Sequence, residues 1–409
     1  MPFFVKPRLL RMTVLSFSYL PFTAYGVSPA PESGSATAPR EIRSVVNYVE
    51  AGELAGAVTL VARNGKVISF EAMGYSDLAA QRTMQKDDLF WVASMTKPIT
   101  AAAVLMLVDD GRLSIDDSVE TYLPEFKNPW LIAESTAERQ VLRHPARPVT
   151  IRDLLTHTHG LTEIRTPRAS TPLAQWVDEV ARSPLQFEPG SQWRYGNAGM
   201  NTLGRIVEVV SGQSFDYFLQ NRIFTPLGMT ETTFFPTATQ LTRLAKSYRK
   251  PADGGPLQEV PISLINGELS STRRTLFPGG GLFSTAGDML RFYQMLLDGG
   301  VAGERRLLST TSIASMTRSN TGDLAAGFSP GMSWGLGVGI VTTPTGWTDV
   351  LPVGSYGHDG AYGTSVMIEP EQRLVMILLI QRAKLNPYTD GLKFRHAFHR
   401  AVLTAPANH

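Results

Sequence analysis

The sequence predicts an α+β fold: one antiparallel sheet assembled from both ends of the chain, flanked by helices and interrupted by a large, mostly helical insertion. Two observations predict it. Strand-like runs lie near the start, at 56–62 and 66–72, and return only near the end, at 334–341, 363–368 and 374–380. Between them, from about 111 to 329, the spacing of apolar residues is helical and Gly and Pro punctuate it heavily. Strands at both termini with helices between imply a single sheet built from the two ends. The α/β part is expected over about 40–110 and 330–405. No internal repeat of solenoid period is present, which argues against a binding-repeat protein.

In chain order, Lys6, Arg8 and Arg11 precede a mostly apolar run from Met12 to Tyr25, and Ala24-Tyr25-Gly26 supplies small residues for a cleavage site. At about 14 residues the run is too short to span a bilayer as a helix. Residues 1–26 are therefore expected to be a signal peptide, which places the mature protein in the periplasm or outside the cell. Residues 27–39, rich in Ser, Pro, Ala and Gly, form an expected flexible linker ahead of a domain over 40–405. An amphipathic helix is expected over 41–50. Asn64-Gly65 between the first two strand runs is a strong hairpin signal. A helix should start near Ser94, because 101–108 is a run of helix formers closed by Asp109-Asp110-Gly111-Arg112. Further helices are expected at 151–155, 173–181, 200–211, 214–221, 287–298 and 388–403.

Composition excludes several classes. The 38 basic and 36 acidic residues leave a net charge of +2, with no basic stripe to recruit nucleic acid. With no cysteine, the chain has neither disulfides nor thiolate metal sites nor a Cys nucleophile. No other stretch reaches 18 apolar residues, so stable membrane insertion of the mature chain is not expected. A small-molecule substrate and no metal or cofactor are expected.

Three short elements carry chemistry. Ser94-Met95-Thr96-Lys97 puts a hydroxyl and an ammonium three residues apart at a helix start, on one face. A serine hydroxyl needs a neighbouring base, and a lysine serves when burial lowers its pKa. Alone, the spacing is a weak signal that more often marks a helix cap followed by a surface lysine, so it needs partners. Tyr195-Gly196-Asn197 follows Pro189-Gly190 in a turn before a helix, where the phenol can relay a proton and the amide can bind Lys97 and a carbonyl. Its bland reading is a buried Tyr and a structural Asn. Tyr356-Gly357-His358-Asp359-Gly360-Ala361 enters the last strands, and its glycines let backbone approach a ligand closely. The Ala361 and Ser94 amides are candidates for an oxyanion hole.

The three elements occur in order and resemble the Ser-x-x-Lys, Tyr-x-Asn and Lys-Thr-Gly-like motifs of class C β-lactamases, D-Ala-D-Ala carboxypeptidases and family VIII carboxylesterases. Leu154-Leu155-Thr156-His157-Thr158-His159-Gly160-Leu161, Pro226-Leu227-Gly228-Met229 and Gly280-Gly281-Leu282-Phe283-Ser284-Thr285-Ala286 are also similar to family segments. The resemblance runs from about 42 to 403. It implies a β-lactamase/transpeptidase-like fold, with Ser94 as nucleophile, Lys97 as its base, Tyr195 as proton relay, and Asn197 and the Ala361 amide serving the carbonyl.

His358-Asp359-Gly360 departs from Lys-Thr-Gly. A neutral imidazole beside a carboxylate disfavours an anionic ligand unless that carboxylate is buried and paired. A carboxylesterase acting on small neutral esters is therefore expected. The alternatives are a β-lactamase or D-Ala-D-Ala carboxypeptidase or D-aminopeptidase type of amide hydrolase, and an acyltransferase using the same acyl-enzyme. A non-catalytic sensor fits poorly with an intact Ser94, Lys97, Tyr195 and Asn197. Gly327-Phe328-Ser329-Pro330-Gly331 fits the nucleophile elbow of α/β-hydrolases, but Pro330 and Gly331 oppose the helix that elbow requires. His396 and His399 lack nearby carboxylates for a metal site. His157 and His159 are expected to be structural. Loops over 123–148 and 161–176, with Trp130 and Trp176, are the expected substrate walls.

Overall fold

The computed structural model describes residues 40–165, 170–262, 264–383 and 390–405. The expected signal peptide and linker, and the first two residues of the last expected helix, lie outside them.

The chain enters through helix α1 (Arg40–Glu50) and forms strands β1 (Gly56–Arg63), β2 (Lys66–Asp77) and β3 (Arg82–Thr83). The turn between β1 and β2 uses Asn64 and Gly65 at φ of 51° and 74°, the paired left-handed residues that a tight hairpin demands. The remaining strands come from the other end: β4 (Met332–Trp334), β5 (Gly339–Val341), β6 (Tyr356–Asp359), β7 (Ser365–Glu369) and β8 (Leu374–Leu379). They join as one sheet in the order β4-β5-β6-β7-β8-β1-β2-β3. The two ends of the chain meet where β1 pairs antiparallel with β8, Val58 opposite Leu379 and Arg63 opposite Leu374. This is the predicted α+β sheet.

β1 and β8 are covered on both faces, so they read as continuous apolar runs. Val58, Leu60, Ala62, Val375, Ile377 and Leu379 face the larger core, while Ala57, Val61, Leu374, Met376 and Leu378 face a second one. The two-residue period of a strand sorts them. The second core is closed by Val45 of α1 and by Phe394, Phe398 and Val402 of helix α7 (Asp390–Leu403). The larger core is closed by α2 (Thr96–Asp109), α3 (Ile151–Thr156), α4 (Leu173–Ala181), α5 (Ala198–Ser211) and α6 (Ala286–Leu297). Lys97 through Leu107 are all buried, as expected of a helix apolar on every side.

Two expectations are corrected. The run 334–341 is not one strand but the end of β4, a turn and β5, closed by Gly335 N–H donating to Val338 O at 2.9 Å. Gly337 has φ of +80°, and a Cβ there would stand 2.6 Å from Ala101 Cβ, so the turn docks closely on α2. The segment 123–148 is not all loop: 131–135 and 140–143 form a hairpin. A two-residue ribbon also pairs Phe90-Trp91 with Phe283-Ser284, fixing the approach to Ser94 against the glycine-rich loop.

Candidate active site

Ser94 stands in a single 3₁₀ turn, Ala93–Met95, that runs straight into α2. Ala93 precedes it at φ of 49°, a left-handed conformation that a residue with a Cβ adopts at a cost of about 1 kcal/mol. Thr96 fixes that turn: its hydroxyl donates to Ala93 O at 2.6 Å and accepts from Leu282 N–H at 3.2 Å. The strain sits immediately before the hydroxyl it presents.

One helical turn on, Lys97 is fully buried. Its Nζ donates to Gly279 O at 2.6 Å, Asn197 Oδ1 at 2.7 Å and Ser94 Oγ at 3.2 Å. All three acceptors are uncharged. Burial pulls the ammonium down to about 7, with Glu163 opposing the shift. Asn197 precedes α5, and Tyr195 lies two residues earlier with its ring centroid 4.8 Å from Lys97 Nζ. The structure thus brings Ser94, Lys97, Tyr195 and Asn197 together.

Gly279 was not among the predicted site residues, yet its carbonyl is the closest acceptor of Lys97. Asn201 Oδ1 receives Gly279 N–H at 2.9 Å, Thr100 donates to Pro278 O at 2.8 Å, and Trp91 Nε1 to Gly280 O at 2.8 Å. A Cβ at 279 would sit 2.9 Å from Asn197 Oδ1, so only glycine leaves room. The sequence signal was the run Gly279-Gly280-Gly281, which names no acceptor because the acceptor is backbone.

His358, on β6, is buried, and that strand packs against the Ser94 turn. Nδ1 lies 2.8 Å from Asp359 O. Burial, and then Lys97, push its pKa down to about 3, so the ring is neutral. The following turn leans on the nucleophile's strand: Thr364 Oγ1 donates to Val92 O at 3.2 Å, and a Cβ at Gly360 would stand 2.6 Å from that same oxygen. Ala361 sits in this turn.

Asp359 corrects the sequence argument about charge. Its carboxylate meets Arg395 Nη1 of α7 at 3.2 Å and accepts from Ser365 Oγ at 2.6 Å. Arg395 is 3% exposed and also donates to Gly360 O at 3.0 Å. The carboxylate is paired beneath the turn, so it does not repel an anionic ligand.

Glu163 is a charged residue near the site that the motifs did not reveal. Its Oε1 accepts Ala198 N–H at 2.8 Å at the start of α5, and Asn197 N–H also donates to it. A Cβ at Gly196 would fall 2.0 Å from that oxygen, so the carboxylate lies directly on the Tyr195–Asn197 turn. Desolvation raises its pKa, while these amides and Lys97 draw it back.

Aromatic rings complete the surround. Tyr195 packs on His157 at 4.7 Å, Phe328 at 4.8 Å, and Trp334 and His358 at 5.9 Å, with Trp193 5.3 Å from Trp334. His157, buried and held neutral by that burial, supports Tyr195 from the left-handed end of α3. His159 Nδ1 accepts Leu161 N–H at 2.9 Å. The expected wall Trp176 is instead core, against Phe277, and Trp130 stacks on His144 at the surface. Ser329 precedes a turn and β4, with no helix after it, so no nucleophile elbow forms. His396 Nε2 lies 2.8 Å from Asp349, His399 is buried, and no metal-binding cluster occurs among the described residues. Nor is any described helix long and apolar enough to cross a membrane.

The profile of the Beta-lactamase family matches residues 42–400. Protein Rv1367c of Mycobacterium tuberculosis is 33% identical over 367 residues, 83% of this chain and 88% of its own length. Lovastatin esterase of Penicillium rubens is 32% identical over 293 residues, 68% of this chain and 72% of its own. Among solved structures, EstCE1, described as a hydrolase with promiscuous acyltransferase activity, superposes with a TM-score of 0.77 at 24% identity, covering 89% of this chain and 97% of that one.

Proposed function

The chain belongs to the Beta-lactamase family and is a serine hydrolase, and from that premise we propose that it is a carboxylesterase acting through an acyl-enzyme on Ser94. The observation that carries this reading is the contact of the fully buried Lys97, through Nζ, with the Oγ of the half-buried Ser94 at 3.2 Å. With a pKa near 7, the amine is neutral in a large fraction of molecules at neutral pH. A neutral amine keeps two N–H bonds for Asn197 and Gly279 and turns its lone pair to the serine. Ser94 Oγ then attacks the ester carbonyl as its proton passes to Lys97, with the Ser94 and Ala361 amides receiving the oxyanion. Tyr195 delivers a proton to the leaving alcohol as the C–O bond breaks and is reprotonated by Lys97; water then attacks the acyl-enzyme, giving its proton to the same pair, and the acyl–Oγ bond breaks as that proton returns to Ser94. The aromatic surround of Trp193, Phe328 and Trp334 suits an apolar group of the substrate.

Export is part of the proposal, since the charged start and short apolar run before Gly26 suit a cleaved leader; sequencing the N-terminus of secreted protein tests it. The activity is tested by burst kinetics on p-nitrophenyl butyrate and nitrocefin with Ser94→Ala and Ser329→Ala. Ester turnover should vanish with Ser94→Ala, survive Ser329→Ala and exceed nitrocefin turnover. Preference for nitrocefin identifies a β-lactamase instead. Faster nitrophenol release with an added alcohol, together with a new ester product, identifies an acyltransferase.

A further inference from the structure

The charge that governs substrate choice is not where the sequence pointed. Asp359 is neutralised by Arg395 beneath the His358–Ala361 turn. Arg194 is drawn aside, its guanidinium 5.2 Å from the centre of the Phe187 ring. His157, His159 and His358 are buried and neutral. Glu163 differs from all of these: the residue is exposed overall, and its carboxylate, partly desolvated, rests on the Tyr195-Gly196-Asn197 turn within electrostatic reach of Lys97.

Capping α5 does not require that charge. A neutral amide oxygen would accept the Ala198 and Asn197 N–H groups in the same geometry. What a carboxylate adds over an amide is a negative field at the cleft, sustained by the helix N-terminus on which it sits. We propose that Glu163 sets the charge preference of the site, turning away substrates with an anionic acyl or leaving group and admitting neutral and cationic ones. This rests on the esterase reading and names its substrate class. Like charges facing one another across a partly solvated cleft discriminate by roughly ten-fold or more.

The test compares kcat/KM for the p-nitrophenyl esters of 5,5-dimethylhexanoic, 4-sulfobutyric and 4-(trimethylammonio)butyric acids, three acyl chains of similar size carrying no charge, a negative charge and a positive one, none of which has a nucleophile able to close on its own carbonyl. Wild type should favour the neutral and cationic esters over the anionic one. E163Q keeps the cap and removes the charge, so the anionic-to-neutral ratio should rise roughly ten-fold while the cationic-to-neutral ratio falls. Any change in Lys97 basicity affects all three substrates alike and cancels in the ratios. E163D should keep the wild-type order, and added salt should weaken the preference in wild type only. Unchanged ratios in E163Q, with ester turnover intact, overturn the role of Glu163 alone. No turnover of any of the three by wild type, or turnover that survives Ser94→Ala, overturns the esterase reading and this inference with it.

Discussion

Two buried cations serve this site, Lys97 within it and Arg395 beneath the turn that follows β6, and their surroundings differ in one respect. Lys97 is wholly buried among a serine hydroxyl, an amide oxygen and a backbone carbonyl. Arg395 is 3% exposed and meets a carboxylate, Asp359, besides the Gly360 carbonyl. Burial without a close counterion destabilises the charged form and turns an ammonium into a base that works near neutral pH. Burial with one, on a guanidinium that does not deprotonate, makes a strut. The same physical cost yields a reactive group in one place and a rigid one in the other.

Removing the titratable amine should have the largest effect. Lys97→Arg keeps a buried cation but supplies no base, and kcat/KM on a neutral ester should fall by roughly 10³-fold. Stopped-flow acylation checks this, with circular dichroism to confirm folding. Lys97 also sets a stability slope. Its folded pKa, about 7, lies below its usual value, so the unfolded chain binds more protons between about pH 7 and 10. Wild-type stability should therefore rise through that window, and the rise should be absent in Lys97→Met, as urea midpoints across pH will show.

Breaking the strut comes next. Arg395→Met strands the Asp359 carboxylate beneath the turn and should destabilise the fold by about 3–5 kcal/mol. Adding Asp359→Asn should recover much of that loss, because the stranded charge rather than the missing arginine dominates it. Thermal denaturation of the single and double variants decides between the two accounts.

The comparison is sharpened by giving Lys97 the counterion it lacks. Asn197→Asp places a carboxylate where Oδ1 now lies 2.7 Å from Nζ. An opposite charge at that distance favours the ammonium, so the acid limb of kcat/KM should move up by one pH unit or more. Activity at neutral pH should drop about ten-fold and recover in alkali. A limb that stays near pH 7 would show that Lys97 is not the group titrating.

How much of this the sequence disclosed follows from the range of the interactions. Asn64-Gly65 and Ser94-Lys97 were legible because a turn and a helix face are local geometry. Tyr195-Asn197 and His358-Gly360 were legible because the motifs occur in the family's order. Arg395 was not, since its partner lies on another element and no spacing links a helix residue to the end of a strand. The sequence argument saw the Asp359 charge and left its pairing open, and only the fold supplies Arg395 as the partner. The run 334–341 misled because its apolar residues are a strand end, a docked turn and another strand. Trp176 misled because a large ring in a presumed loop reads as a wall, whereas α4 folds it into the core.

Gly279 marks the boundary of what a motif can convey and gives the smallest expected effect. Its contribution is a carbonyl, which any residue owns, and a missing Cβ, which only glycine offers. Gly279→Ala keeps the carbonyl but places a carbon 2.9 Å from Asn197 Oδ1 and 3.1 Å from the Phe277 ring. The Asn197 amide must then shift by a few tenths of an ångström, lengthening its bond to Lys97 and not the one from Gly279. Losing alignment in one of three hydrogen bonds to the base should lower kcat a few-fold with KM almost unchanged. The acid limb should move slightly down, because the ammonium loses an acceptor that the neutral amine needs less. A fall in KM instead, or no change in the limb, would mean that the loop shapes the substrate site rather than the base.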